Sequence, residues 1–199
     1  MRIVLATAAL LGSAAAAIPA GYTAVPDSSS ADMSQAVYTA SGAGWEVTTG
    51  PAHILFAAKD AATGVYAAQA TFTQLAKPRH PEAYGIFIGG SNLSDPANRS
   101  YTYFVVRGTG EYLVKVMHGT STTTVSDWKG SADIPKEDAA GKATYELKVH
   151  VAPTAMHFYV NGKLIAEIPK SASTPTDGIA GLRINHNLHL MVTPIAIAK

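Results

Sequence analysis

Residues 101–119, YTYFVVRGTGEYLVKVMHG, decide how the chain is read. Apolar and polar residues alternate on both sides of Gly108-Thr109-Gly110, and a period of two marks half-buried strands rather than a helix. A three-residue turn at the glycines sets Arg107 opposite Glu111, Val106 opposite Tyr112, Phe104 opposite Val114 and Tyr103 opposite Lys115. One face then carries Thr102, Phe104, Val106, Tyr112, Val114 and Val116. The other carries Tyr101, Tyr103, Arg107, Glu111, Lys115 and Met117. A slip of one residue would mix the two sets, so burial selects this register.

The stretch YELKVHVAPTAMHFYVNGKL, residues 145–164, repeats the pattern. Leu147, Val149, Val151, Met156, Phe158 and Val160 alternate inward, while Glu146, Lys148, His150, His157 and Tyr159 alternate outward. With the corner at Pro153-Thr154, His150 and His157 lie directly opposite each other. Asn161-Gly162 makes the next tight turn and is expected to lead Leu164, Ala166 and Ile168 back to the core. In GIAGLRINHNLHLMV, residues 178–192, Leu182, Ile184, His186, Leu188, Leu190 and Val192 share one face. Arg183, Asn185, Asn187 and His189 share the other. Further strands are expected near residues 45–49, 53–58, 64–75, 84–89 and 122–128. The one helical stretch is about a turn in PKEDAAGKA, residues 135–143. A dozen short strands with no helices between them predict an all-β chain, a two-sheet antiparallel β-sandwich of jelly-roll type over residues 37–199.

Residues 83–93, AYGIFIGGSNL, hold glycines after an apolar run, as a phosphate-binding turn does. Such a turn needs a helix immediately after it, because the helix N-terminus supplies the amides that bind the anion. SNLSDPANRS, a loop containing Pro96, follows instead, and no Walker lysine is present. The glycines are turn and close-packing residues.

The first twenty residues have the form of a secretory signal: Arg2, the apolar run IVLATAALLG, then small residues. Cleavage is expected after Ala17 or Ala20. The run is too short for a transmembrane helix, which needs about 20 apolar residues. Residues 21–36, small and polar, are expected to be a flexible lead-in. Secretion to the periplasm or the medium follows as an expectation. The absence of cysteine excludes disulfides, a lipid-anchored N-terminal cysteine and thiolate metal sites. Loss of Arg2 leaves 14 basic against 14 acidic residues, with no basic run. That balance argues against nucleic acid and against a polybasic membrane contact. A glycan or another extracellular protein is the expected partner, and self-association is compatible with near-zero charge.

Arginine and amides in a row on a sheet face, beside tyrosines, suit sugar hydroxyls, which need fixed donors and acceptors next to a stacking surface. The candidate ligand-binding residues are Tyr101, Tyr103, Arg107, Lys115, Arg183, Asn185, Asn187 and His189. An ordinary solvated outer face is the competing interpretation. Trp45 and Trp128 are stacking candidates whose alternative role is packing. No metal site is expected. His150 and His157 lack a third ligand nearby, and the two histidines of HNLH project to opposite faces of a strand. His186 is expected to be a hydrogen-bonded core residue. Calcium has weak support in Asn92, Asp95 and Asn98, which also suit a turn. No cofactor is otherwise implied.

Three stretches together, AYGIFIGG leading into the 101–119 hairpin, HFYVNGKLIAEIP, and DGIAGLRIN, resemble the concanavalin A-like lectin/glucanase (laminin-G-like) jelly rolls. Their order is similar to that of the secreted 3-keto-disaccharide hydrolase-like domains. The resemblance spans residues 40–195 and implies two antiparallel sheets, one concave, with ligands on the concave face or its rim loops. The glucanases of this superfamily carry E-x-D-x-E or E-x-D-x-x-E on one strand. Glu46, Glu82, Glu111, Glu137, Glu146 and Glu167 never form that pattern here. A retaining glycosidase needs carboxyls about 5 Å apart, and no G-x-S-x-G elbow is present. The expectation is therefore a secreted carbohydrate-binding module. A self-associating structural or adhesive domain and a glycoside hydrolase are the alternatives.

Overall fold

The structure, a computed structural model, describes residues 18–199; residues 1–17 of the expected signal segment lie outside the described residues. The strands are β1 (Thr23–Pro26), β2 (Val37–Ser41), β3 (Gly44–Thr48), β4 (His53–Ala62) and β5 (Tyr66–Gln74). They continue with β6 (Ala83–Ser91), β7 (Ser100–Arg107), β8 (Glu111–His118), β9 (Ser121–Gly130) and β10 (Ala143–Val151). The last are β11 (Ala155–Val160), β12 (Lys163–Pro169), β13 (Gly178–Ile184), β14 (His189–Val192) and β15 (Ala196–Ala198). A 3-10 turn at Met33–Gln35 is the one helical element among the described residues. No described helix is long and apolar enough to cross a membrane.

One sheet runs β1-β4-β13-β6-β7-β8-β9, and the other β12-β11-β10-β5-β14-β3-β2, with β15 also on β5. Every pairing is antiparallel, and β13 and β14 insert between strands distant in sequence, as a jelly roll requires. Both expected hairpins have the expected register, with Tyr103 opposite Lys115 and His150 opposite His157. The sheets meet through Leu55, Ile86, Phe104, Leu147, Val149, Leu182 and Leu190. Phe104 reaches Phe158 at 5.1 Å and Phe72 reaches Tyr84 at 5.6 Å across the interface. Each such ring removed from water contributes about 1.5–3 kcal/mol.

Local corrections follow from particular residues. The segment read as a flexible lead-in is built into the fold: Thr23–Pro26 pairs with β4, and Asp32 caps the 3-10 turn. PKEDAAGKA forms no helix; the Asp138 carboxylate accepts from the Ala140 and Lys142 amides and folds the segment into a turn. Leu164 does not return to the core. A bulge between Phe158 and Tyr159 moves it opposite Tyr159, where it is 49% exposed. Residues 178–192 form two strands, β13 and β14, as expected near 179–184 and 186–192, but the two do not share one face. Asn187 takes a left-handed φ of 55° and the chain passes from one sheet to the other. His186 consequently stands exposed on the connection instead of in the core.

The glycines of residues 83–93 are close-packing residues. Gly89 has a φ of 66°, and a Cβ there would lie 2.3 Å from the Pro175 carbonyl oxygen. The neighbouring Thr102 hydroxyl donates to that same carbonyl at 2.8 Å.

Candidate functional site on the outward sheet face

The seven-stranded sheet turns one face to the sandwich core and the other outward. The outward face is not an ordinary solvated surface. Ile54, Phe56, Phe87, Tyr101, Tyr103, Val105, Leu113 and Met117 form a second apolar cluster there, with Trp128 and Ile179 at its margins. The rings contact in series, Phe56 to Phe87 at 6.4 Å, Phe87 to Tyr101 at 5.1 Å and Tyr101 to Tyr103 at 5.9 Å. Gly181 makes room for the row, since a Cβ there would lie 2.6 Å from the Phe87 ring.

Part of this face is covered by the chain itself. Arg183 on β13 grips the Asp27 carboxylate with both terminal nitrogens, at 2.7 and 2.5 Å. Arg99 donates to the Pro26 and Asp27 carbonyls at 3.0 and 2.9 Å, and its Nε donates to Gly119. Two arginines thus strap Pro26–Asp27 onto the sheet. Burial, the largest single influence, opposes the charge of Arg183, but Asp27, Tyr101 and Tyr103 together outweigh it and the guanidinium titrates above its ordinary range. Burial also pushes the Tyr101 phenol up to about 12. The Tyr101 hydroxyl and Arg183 Nε are buried with no hydrogen-bond partner among the described residues.

The sequence-derived candidates therefore divide. Tyr101, Tyr103, Arg107, Lys115 and Arg183 do share this face. Tyr101, Tyr103 and Arg183, expected to be open to a ligand, are instead 0%, 7% and 6% exposed, because the strap and the packed rings cover them. Arg107 and Lys115 remain accessible. The Arg107 guanidinium lies 4.1 Å over the Trp128 ring and pairs with Glu111 at 2.7 Å. The Thr109 hydroxyl bond, with the bond and charge of Arg107, holds the Glu111 carboxyl below its ordinary range. The other end of the face opens into a cleft of about 400 Å³ lined by Phe56, Leu93, Ile179, Asn92, Ser94 and Asp95.

Asn185, Asn187 and His189 do not join them, because the chain leaves the sheet after Ile184. The Asn185 carbonyl accepts from the Thr49 hydroxyl, Asn187 sits exposed in the turn, and His189 lies on the other sheet, 2.6 Å from Glu46. Asn187 and His189 line a separate cleft of about 330 Å³ with Lys77 and Arg79.

The loop considered for calcium is closed on itself. Asp95 accepts from the Ala97 amide and from the Asn98 side chain, which suits a turn. His150 and His157 stack at 5.6 Å, and Glu167 reaches the far nitrogen of His157 at 3.3 Å. Glu82 and Glu137 border one cleft of about 160 Å³. Both are engaged, Glu82 with His80 and His186, Glu137 with Gln74 and Lys77.

Sequence reasoning missed Asp27 and Arg99, whose partners are far away in the chain and carry no local pattern. It also missed the approach of His186 to Glu82. The H-x-E spacing of residues 80–82 was a partial signal, since it keeps two potential ligands two residues apart.

No family model matches the chain, and no curated protein matches it. Similar solved structures are numerous. The carbohydrate-binding module CBM66 from Bacillus subtilis superposes with a TM-score of 0.61 at 10% identity, covering 90% of this chain and 96% of that one. A Bacillus subtilis protein of unknown function with a galectin-like fold gives 0.61 at 12% identity, covering 89% and 88%. A Bacteroides ovatus mixed-linkage glucan GH16 protein, in complex with a G4G4G3G product, gives 0.60 at 8% identity, covering 88% and 94%. At these identities the likeness is one of fold, and the fold is the concanavalin A-like jelly roll.

Proposed function

We propose that the protein is a secreted carbohydrate-binding module that holds a glycan against the outward face of the seven-stranded sheet, at its Arg107–Trp128 margin. The observation carrying this reading is the Arg107 guanidinium, fixed over the indole of Trp128 by Glu111 and still accessible to solvent, with 23% of its side chain exposed. A rigid ring beside a charged fork offers a stacking plane and directed hydrogen bonds, the two things a sugar requires. Lys115, opposite Tyr103 on β8, extends the polar rim. Tyr101, Tyr103 and Arg183 form the support beneath. Fold neighbours that include a carbohydrate-binding module add to this reading. The leader supports export, and Ile18, which packs against the core, favours cleavage after Ala17 over Ala20.

A glycan array with the mature chain is the test, followed by titration of the strongest hit with Trp128→Ala and Lys115→Ala. Trp128→Ala is expected to weaken binding by about 1–3 kcal/mol, a loss of roughly 5- to 150-fold. A blank array, or a hit that Trp128→Ala leaves unchanged, refutes the assignment. A positive hit weakened only by changes at Asn187 or His189 moves the site to the rim loops.

A further inference from the structure

We infer that His80, Glu82 and His186 form a binding site for a zinc-type divalent transition cation. The site is independent of the proposed glycan surface and uses none of its residues.

Backbone pairing brings the three together. In the β13–β6 register Ile184 stands opposite Tyr84, and the Asn185 amide donates to the Ala83 carbonyl at 3.1 Å. Just past the end of this pairing, His186 comes within reach of Glu82. His80 stands at a bend two residues before Glu82, and the bend brings its ring back to the Glu82 carboxylate. Pro78 and Pro81 limit the freedom of this segment.

Glu82 Oε1 lies 2.7 Å from His80 Nδ1 and 3.0 Å from His186 Nε2. The three potential ligand atoms all lie within 4.8 Å of one another. The Glu82 carboxylate is 5% exposed, and neither lysine nor arginine pairs with it among the described residues. A buried carboxylate is stabilised by a counter-charge, and here two imidazoles face it where a cation belongs.

The dimensions fit. Zinc binds imidazole nitrogen and carboxylate oxygen at about 2.0–2.2 Å, which in a tetrahedron places neighbouring ligand atoms roughly 3.4 Å apart. Opening the 2.7 and 3.0 Å contacts by about 0.7 and 0.4 Å reaches that spacing. The imidazoles are free to make this adjustment, with 55% and 47% of their side chains exposed, while the buried carboxylate fixes the centre. Their rings lie 5.4 Å apart, tilted by 59°. Two imidazoles and one carboxylate select zinc, copper or nickel over magnesium and calcium, which prefer all-oxygen shells. Three protein ligands leave a fourth position for water or another donor.

Calorimetric titration of the tag-free, chelator-stripped chain with zinc chloride tests the site, with cobalt(II) as a visible-absorbance probe and calcium as the control. One equivalent of zinc is expected to bind, cobalt to give the intense bands of a four-coordinate centre, and calcium to give no heat. His80→Ala and His186→Ala should each weaken zinc at least about tenfold. Both histidines are half exposed, so the metal-free melting temperature should hold while the zinc-induced rise disappears. No zinc uptake, or uptake that both variants leave intact, overturns the assignment. Loss confined to a His150→Ala variant would place the metal on the other sheet and overturn it equally.

Discussion

His53 sits wholly out of water on β4, where its Nδ1 donates to the Pro51 carbonyl at 2.9 Å and its Nε2 accepts from the Tyr38 hydroxyl at 2.5 Å. That bond joins the two sheets, since Tyr38 belongs to β2. Burial holds the imidazole below its ordinary range, and Arg183 adds to this, against weaker opposing pulls from the Pro51 carbonyl and Asp27. The neutral ring satisfies both partners; a second proton would face the Tyr38 hydroxyl and turn it away. Because the folded pKa is depressed, the unfolded chain binds the extra proton first. The stabilisation is therefore complete above the ordinary histidine value of about 6.5 and drains away as pH falls toward the folded value. The slope is at most about 1.4 kcal/mol per pH unit. Urea unfolding at about pH 7.5 and about pH 5 should show the wild type losing more stability than His53→Gln does. Equal losses would remove His53 from the acid sensitivity. Nothing in HILFAA marks this residue in the sequence, because its partners lie on another strand and in the preceding turn.

The hairpins were legible because turn chemistry and a two-residue period act over short distances. Asn161 and Gly162 both take positive φ, 49° and 76°, as a tight hairpin turn demands. The placement of β13 between β4 and β6 was not legible, since nothing local states which distant strand is its neighbour. That pairing decides the site: it sets Gly181 beside Phe87 and Arg183 by Asp27, and leaves His186 near Glu82 just past its end. Gly181 tests it directly. A Cβ there meets the Leu55 carbonyl oxygen at 2.5 Å and the Phe87 ring at 2.6 Å, while a Cβ on Gly130 meets nothing within 4 Å. Gly181→Ala should destabilise by about 1–3 kcal/mol in chemical denaturation, and Gly130→Ala should stay within about 0.5 kcal/mol. Similar small effects at both positions would mean that the aromatic row does not depend on the missing side chain.

At the scale of the whole molecule, the sandwich has two apolar layers: one between its sheets, the other on the outward face of the seven-stranded sheet beneath Pro26–Asp27. An outward apolar face left bare invites association, and β1 also covers the edge of β4, whose free amides and carbonyls would otherwise be open to pairing. A chain beginning at Ser29 loses both covers at once. Arg183 is left without its carboxylate and Arg99 without two of its acceptors. The shortened chain should melt at a lower temperature, bind a hydrophobic dye more strongly and sediment as larger species, with Arg183→Met restoring part of the lost stability by removing the stranded charge. A shortened chain that stays monomeric and melts with the full-length protein would show that the outward rings hold their arrangement without the strap. The Arg107–Trp128 margin lies on the opposite flank of the sheet from β1, so glycan binding there should survive the truncation wherever the shortened chain remains folded.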